Sequence, residues 1–182
     1  MKNRINKLNE FLKKYGLIVF IVILSSFKLI SILNIPIWAI SNAAVDDRLM
    51  INIANSLLSK DWLGGYNQYT LVKGLFFPVV LAGSHIIGIP YTIVITLLYI
   101  MACILFIYML RNILKNKLLI GIIFCMLLFN PVSTSLTSFS RVYRNCLTPI
   151  QVLIIFHLIL LIHFHILLLL ILILIFCLDG YF

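Results

Sequence analysis

Residues 16–40 read GLIVFIVILSSFKLISILNIPIWAI, and residues 46–58, just beyond them, read DDRLMINIANSLL. The first stretch is longer than the roughly 20 apolar residues that carry a helix across a bilayer. Such runs recur, as in residues 91–110, YTIVITLLYIMACILFIYML. The chain is 63% hydrophobic and 10% charged, against roughly a quarter charged in a soluble domain. Its mean hydropathy is +1.17. The expected fold is all-α: a polytopic helical membrane protein with about four to five transmembrane helices and an interfacial amphipathic helix in the first outer loop. The formal charge of +9 does not point to nucleic acid, because the basic residues are not gathered on one soluble face. They sit where membrane topology places them, and the partner they imply is the lipid bilayer.

Lys2, Arg4, Lys7, Lys13 and Lys14 precede the first run. The run exceeds the 7–15-residue core of a signal peptide, and Ser41-Asn42-Ala43-Ala44 is a poor cleavage site. A retained signal anchor is expected, with residues 1–15 as a basic cytoplasmic tail. Lys28 lies inside the run and is expected to snorkel toward an interface, with a protein-facing position as the alternative. Arg111, Lys115 and Lys117 form the next basic cluster, which is also expected in the cytoplasm. Residues 91–110 supply the crossing that leads to it. Phe76–Ile87 is short for a span and Gly88-Ile89-Pro90 breaks it from the next apolar run, so it is expected to re-enter from the outer side. The alternative, a true span there, puts the second basic cluster outside. Residues 118–129 return outward, residues 132–145 form a second outer loop, and residues 148–178 make the last crossing.

The first outer loop carries the chemistry. From Asp47 the apolar residues Leu49, Met50, Ile53, Ala54, Leu57 and Leu58 form one helical stripe. Arg48, Asn52, Asn55, Ser56, Ser59 and Lys60 lie opposite. Such a helix is expected to lie in the interface plane, apolar face toward lipid. Asp46 and Asp47 open it. Capping free N–H groups at the positive end of the helix dipole is one use of that pair; general-base catalysis is the other. Next comes Asp61-Trp62-Leu63-Gly64-Gly65-Tyr66, whose Trp62 and Tyr66 suit headgroup anchoring or sugar binding. Lys73, Arg141 and Arg144 add outer cations. Arg141 and Arg144, one helical turn apart, are expected to clamp one phosphate, or simply to hold lipid phosphates.

This order of features resembles the GT-C superfamily of integral-membrane glycosyltransferases, and most closely its dolichyl-phosphate-mannose-protein mannosyltransferase and aminoarabinose transferase group. The matching elements are Asp46-Asp47, the helix over residues 49–58, Lys60-Asp61-Trp62-Leu63, and Lys73-Gly74-Leu75-Phe76-Phe77-Pro78. They continue with Leu110-Arg111-Asn112-Ile113-Leu114-Lys115 and Ser140-Arg141-Val142-Tyr143-Arg144. The likeness covers residues 16–156. It implies sugar transfer from a polyprenyl-phosphate donor to an acceptor on the outer face. Asp46 and Asp47 are then catalytic, with Asp46 the first choice. Lys73, Arg141 and Arg144 bind the donor phosphate, and Trp62 and Tyr66 the acceptor or sugar. Two adjacent acids also suit a divalent cation such as magnesium or manganese on Asp46 and Asp47.

Gly74 stands where that group often has proline, and the number of spans is lower than in GT-C enzymes. From residue 157 to residue 177 only His, Leu, Ile, Phe and Cys occur, without the small residues that help membrane helices pack. Residues 157–182 are therefore expected to be a low-complexity apolar tail, out of frame, on the N-terminal portion of a transferase. His163 and His165 face opposite sides of a helix and do not share a metal. Cys103, Cys125, Cys146 and Cys177 show no paired spacing, and three of them, in or near apolar runs, read as packing residues. The alternative function is a small non-enzymatic polytopic membrane protein, a transporter subunit or assembly partner. The oligomeric state is open.

Overall fold

The computed structural model describes residues 2–40, 46–62, 64, 65, 74–134 and 140–179. The architecture is all-α. The helices are α1 (Lys2–Ile32), α2 (Asp47–Leu58), α3 (Phe76–Ile87), α4 (Tyr91–Ile113), α5 (Lys117–Leu128), the short α6 (Pro131–Thr134) and α7 (Thr148–Asp179). A single 3₁₀ turn, Arg144–Cys146, precedes α7. Two stretches among the described residues are long and apolar enough to cross a membrane, Glu10–Ile32 and Tyr91–Ile113.

Helix α1 stops earlier than its apolar run. Pro36 disfavours helical backbone at Ile35, and the chain leaves the helix at Ile32. Residues 35–40 continue without helix. Helix α3 ends on Gly88, whose left-handed φ of 73° is open to glycine without Cβ strain. Pro90 then caps α4, which begins at Tyr91. Proline there is placed where the N–H has no helical partner. Asn116 caps α5, its side-chain oxygen accepting from the N–H groups of Leu118 (3.0 Å) and Leu119 (3.4 Å).

Contacts between the helices give their directions. Lys117 Nζ donates to the Lys13 carbonyl at 2.7 Å, while Lys28, further along α1, reaches Ser133 just beyond α5. Helices α1 and α5 therefore run side by side in one direction. Tyr99, early in α4, donates to the carbonyl of Leu127, late in α5, so α4 runs the other way. Helix α7 follows α4: Tyr91 Oη meets Cys146 Sγ at 2.8 Å, and His157 Nδ1 lies 3.0 Å from the Leu105 carbonyl. One end of the bundle carries Lys13, Lys115 and Lys117. The other carries Asp47, Tyr91, Ser133 and Arg141.

Helix α4 is the centre. Ile95, Thr96, Tyr99, Ala102 and Cys103 are buried on it, against Phe124 and Leu128 of α5 and Ile150 and Leu153 of α7. Thr96 satisfies its hydroxyl on the Thr92 carbonyl at 2.7 Å, which keeps a polar atom tolerable among apolar neighbours. By contrast, α1 leaves Ile18, Val22, Ile23, Phe27 and Ile30 exposed.

Lys28 is 2% exposed and does not snorkel. Its ammonium donates to the Ser133 carbonyl at 2.6 Å and lies 3.4 Å from Ser133 Oγ. It also sits 5.6 Å from the centroid of the Phe129 ring. A carbonyl left open where α6 ends and an aromatic face compensate the buried charge more fully than a reach along α1 toward water.

Candidate functional site

The acidic pair divides. Asp47 is fully buried and Asp46 half-buried. Asp46 occupies the N-cap position of α2 without a side-chain capping bond; its carbonyl accepts the Met50 N–H at 3.1 Å. The apolar stripe reads correctly: Leu49, Met50, Ile53 and Ala54 are buried and Arg48, Asn52 and Asn55 exposed. That face packs on α3 rather than lying free for lipid, because α3 presents Phe77 and Ala82 as a second buried surface.

Asp47 meets Arg141 from the second loop. Arg141 Nη2 donates to Asp47 Oδ1 at 2.8 Å and Nε donates to Oδ2 at 3.0 Å. This is the two-pronged guanidinium–carboxylate geometry that makes charge-assisted pairs strong. The Ile40 N–H donates to the same Oδ2 at 2.7 Å. Burial alone would raise the Asp47 carboxyl. The hydrogen bonds from Arg141 and Ile40, together with the Arg141 charge, outweigh it and hold the carboxyl below the ordinary carboxylate value. The bond to Asp47 in turn raises the Arg141 guanidinium, burial opposes it, and the charges of Asp47 and Asp46 add to the rise.

Residues 35–40 explain how Arg141 arrives there. Trp38 pairs with Arg141 in an isolated parallel β-bridge. The Trp38 N–H donates to the Ser140 carbonyl at 3.2 Å, and the Val142 N–H donates to the Trp38 carbonyl at 2.9 Å. The guanidinium then lies 5.9 Å from the Trp38 ring centroid and 5.0 Å from that of Tyr143, within cation–π range. Arg141 keeps about a quarter of its side chain accessible, 24%. Three of its five N–H groups lie outside the bonds to Asp47.

The expected helical spacing of Arg141 and Arg144 is not what forms. Residues 140–143 are non-helical and Arg144 opens the 3₁₀ turn, since Arg141 is drawn into the bridge with Trp38. The Arg144 side chain, Lys73 and Tyr66 lie outside the described residues. Trp62 follows α2 and is 73% exposed. Asp47 is a poor divalent-cation ligand, because both of its oxygens face a guanidinium. Among the described residues no group of three or more His, Cys, Asp or Glu gathers as a metal set. The magnesium or manganese expected on Asp46 and Asp47 would have to share Asp47 with the Arg141 guanidinium.

Sequence reasoning missed Trp38, Ile40 and Tyr143. The signal for the first two was Pro36, which ends helix and leaves Ile37-Trp38-Ala39-Ile40 as extended chain ready to pair. Beside this hub lies a groove of about 600 Å³ between α2 and α3. Its walls include Ile37 and Val142, the neighbours of Trp38 and Arg141, with Ile51, Leu58, Leu81 and Ile89.

Comparison with protein-family models, with curated proteins and with solved structures returned no match.

Proposed function

We propose that this chain acts as a GT-C-like membrane glycosyltransferase, taking a sugar from a polyprenyl-phosphate donor on the outer face of the membrane. The single observation that carries the reading is the Asp47–Arg141 pair, with Asp46 next to Asp47 in the chain, near an apolar groove whose walls include Val142. A lipid-linked sugar donor needs these elements together: a base, a cation for phosphate and an apolar channel for the lipid.

In this reading Asp46 is the general base and Asp47 a positioning residue that holds Arg141. Asp46 takes the proton from an acceptor hydroxyl, whose oxygen attacks the anomeric carbon of the sugar. The bond from that carbon to the phosphate oxygen breaks, and polyprenyl phosphate leaves with the electron pair. The remaining N–H groups of Arg141 stabilise the departing phosphate, with Lys73 and Arg144 as further cations. The prenyl chain occupies the α2–α3 groove. Trp62 and Tyr66 remain the sugar- or acceptor-binding candidates.

Four crossings accompany this reading: α1, α4, α5 with α6, and α7. Their alternating directions, and the separation of Lys13, Lys115 and Lys117 from Asp47 and Arg141, support a multi-pass protein with a cytoplasmic N-terminus. At 12 residues, α3 extends about 18 Å, well short of a bilayer core of about 30 Å, whereas α5 is continued by α6 to residue 134. The length of α3 supports re-entry.

Asp46→Asn tests the proposal. It should abolish transfer of radiolabelled sugar from polyprenyl-phosphate donors in membranes, by about 10²-fold or more, at unchanged protein level and melting temperature. Unchanged transfer removes Asp46 as base. A second reading, a non-enzymatic membrane protein, is favoured by the saturation of Asp47 by Arg141 and Ile40, which a structural staple also requires. Under it no chain, intact or variant, releases sugar.

A further inference from the structure

At the end of the bundle opposite Asp47, helices α1 and α5 leave a groove of about 770 Å³ between them. Its floor and walls are apolar: Leu17 and Phe20 on one side, Ile122 and Met126 on the other. Two glycines open it. A Cβ added at Gly16 meets nothing within 4 Å, and for one at Gly121 the nearest atoms are of the Phe20 and Leu17 side chains, at 3.5 Å and beyond, ordinary contact distances. From residue 117 to residue 126 the groove follows α5 for about 13 Å.

Its mouth is cationic. Lys13, Lys115 and Lys117 line it, and among the described residues no acidic side chain does. Lys117 bends back across the mouth to the Lys13 carbonyl at 2.7 Å. That bond uses one of the three N–H groups of an ammonium and leaves the others for an anion. An apolar trough that ends in three lysines is complementary to a molecule with a hydrocarbon chain and an anionic head. A zwitterionic lipid offers the chain without the net charge, and a free anion offers the charge without the chain.

We propose that this groove holds an anionic phospholipid of the leaflet at the basic end of the bundle. The acyl chain lies along Gly16 and Gly121, and the headgroup phosphate rests on Lys13, Lys115 and Lys117. The inference rests on the membrane reading and not on sugar transfer, so its failure leaves the Asp46–Asp47–Arg141 site untouched.

The test uses the full chain in detergent with phosphatidylglycerol or phosphatidylcholine as probe, read by native mass spectrometry and by melting temperature. Retention of phosphatidylglycerol above phosphatidylcholine is expected. Each single Lys→Gln change should weaken it roughly fivefold, as for a basic residue at an anionic surface. The triple variant should treat the two lipids alike. Gly16→Leu fills the trough and should also weaken phosphatidylglycerol while leaving the lysines in place. Equal retention of the two lipids by the unaltered chain overturns the proposal. So does competition by soluble glycerol phosphate together with indifference to Gly16→Leu, which defines a free-anion site instead.

Discussion

Asp47 and Arg141 show how a residue pair acquires its role from its surroundings. A surface ion pair contributes little. Here the carboxylate is fully buried and the guanidinium is only a quarter exposed, 24%, so removing one partner strands a charge. Arg141→Met should cost up to about 3 kcal/mol at neutral pH. Because the folded-state pKa of Asp47 is depressed, the pair stabilises the fold above the unfolded carboxyl value of about 3.9. That contribution disappears as the pH falls through the lower folded value. In Arg141→Met the unpaired Asp47 is raised by burial, and protonation relieves it. The gap in melting temperature between wild type and variant should therefore be widest near pH 7 and narrow as the pH falls through and below the unfolded carboxyl value. A gap of constant width across that range removes the ion pair as its cause.

At the scale of elements, the junctions between helices decide the site. Pro36 releases residues 35–40 from α1, and this short extended piece carries both the Ile40 N–H and the Trp38 bridge. Gly88 turns α3 into α4, holding the Phe77 and Tyr91 rings 5.6 Å apart. Its left-handed φ of 73° penalises a β-carbon by roughly 1–2 kcal/mol, although no neighbour obstructs one. Gly88→Ala should thus lower the melting temperature by a few degrees, about 2–4 °C per kcal/mol for a chain of this size. Gly88→Asn should recover part of the loss, because asparagine tolerates that backbone region. Equal losses for both would point to packing rather than backbone conformation.

Across the whole molecule, the separation of charge between the two ends is the dominant pattern. Cysteines placed singly at Lys117 and at Asn145, in a background with Cys103, Cys125, Cys146 and Cys177 replaced, test its meaning. In sealed cells a membrane-impermeant thiol reagent should label the Asn145→Cys protein and spare the Lys117→Cys protein until the membrane is opened. Labelling of both from outside defeats the four-crossing arrangement. The same large-scale view explains the burial of Lys28. The second loop starts beside the end of α1, so a lysine in an apolar helix finds a carbonyl from residue 133 instead of water.

Much was legible in the residues alone. Helical class followed from composition and run length, because apolar periodicity is local. The α2 stripe and the α3–α4 break followed from spacing and from Gly88-Ile89-Pro90. Asp46, Asp47 and Arg141 stood out as charges in a greasy chain, which is costly unless something compensates them. What no local pattern held was which of them meet. Asp47 and Arg141 are 94 positions apart, and nothing in either neighbourhood encodes the other. Only packing of α1, α2 and the second loop brought the Trp38 bridge, the Ile40 N–H and the guanidinium to one carboxylate. The same packing separated Asp46 from Asp47 in burial although they are adjacent in sequence, because the first turn of α2 sends the second acid inward.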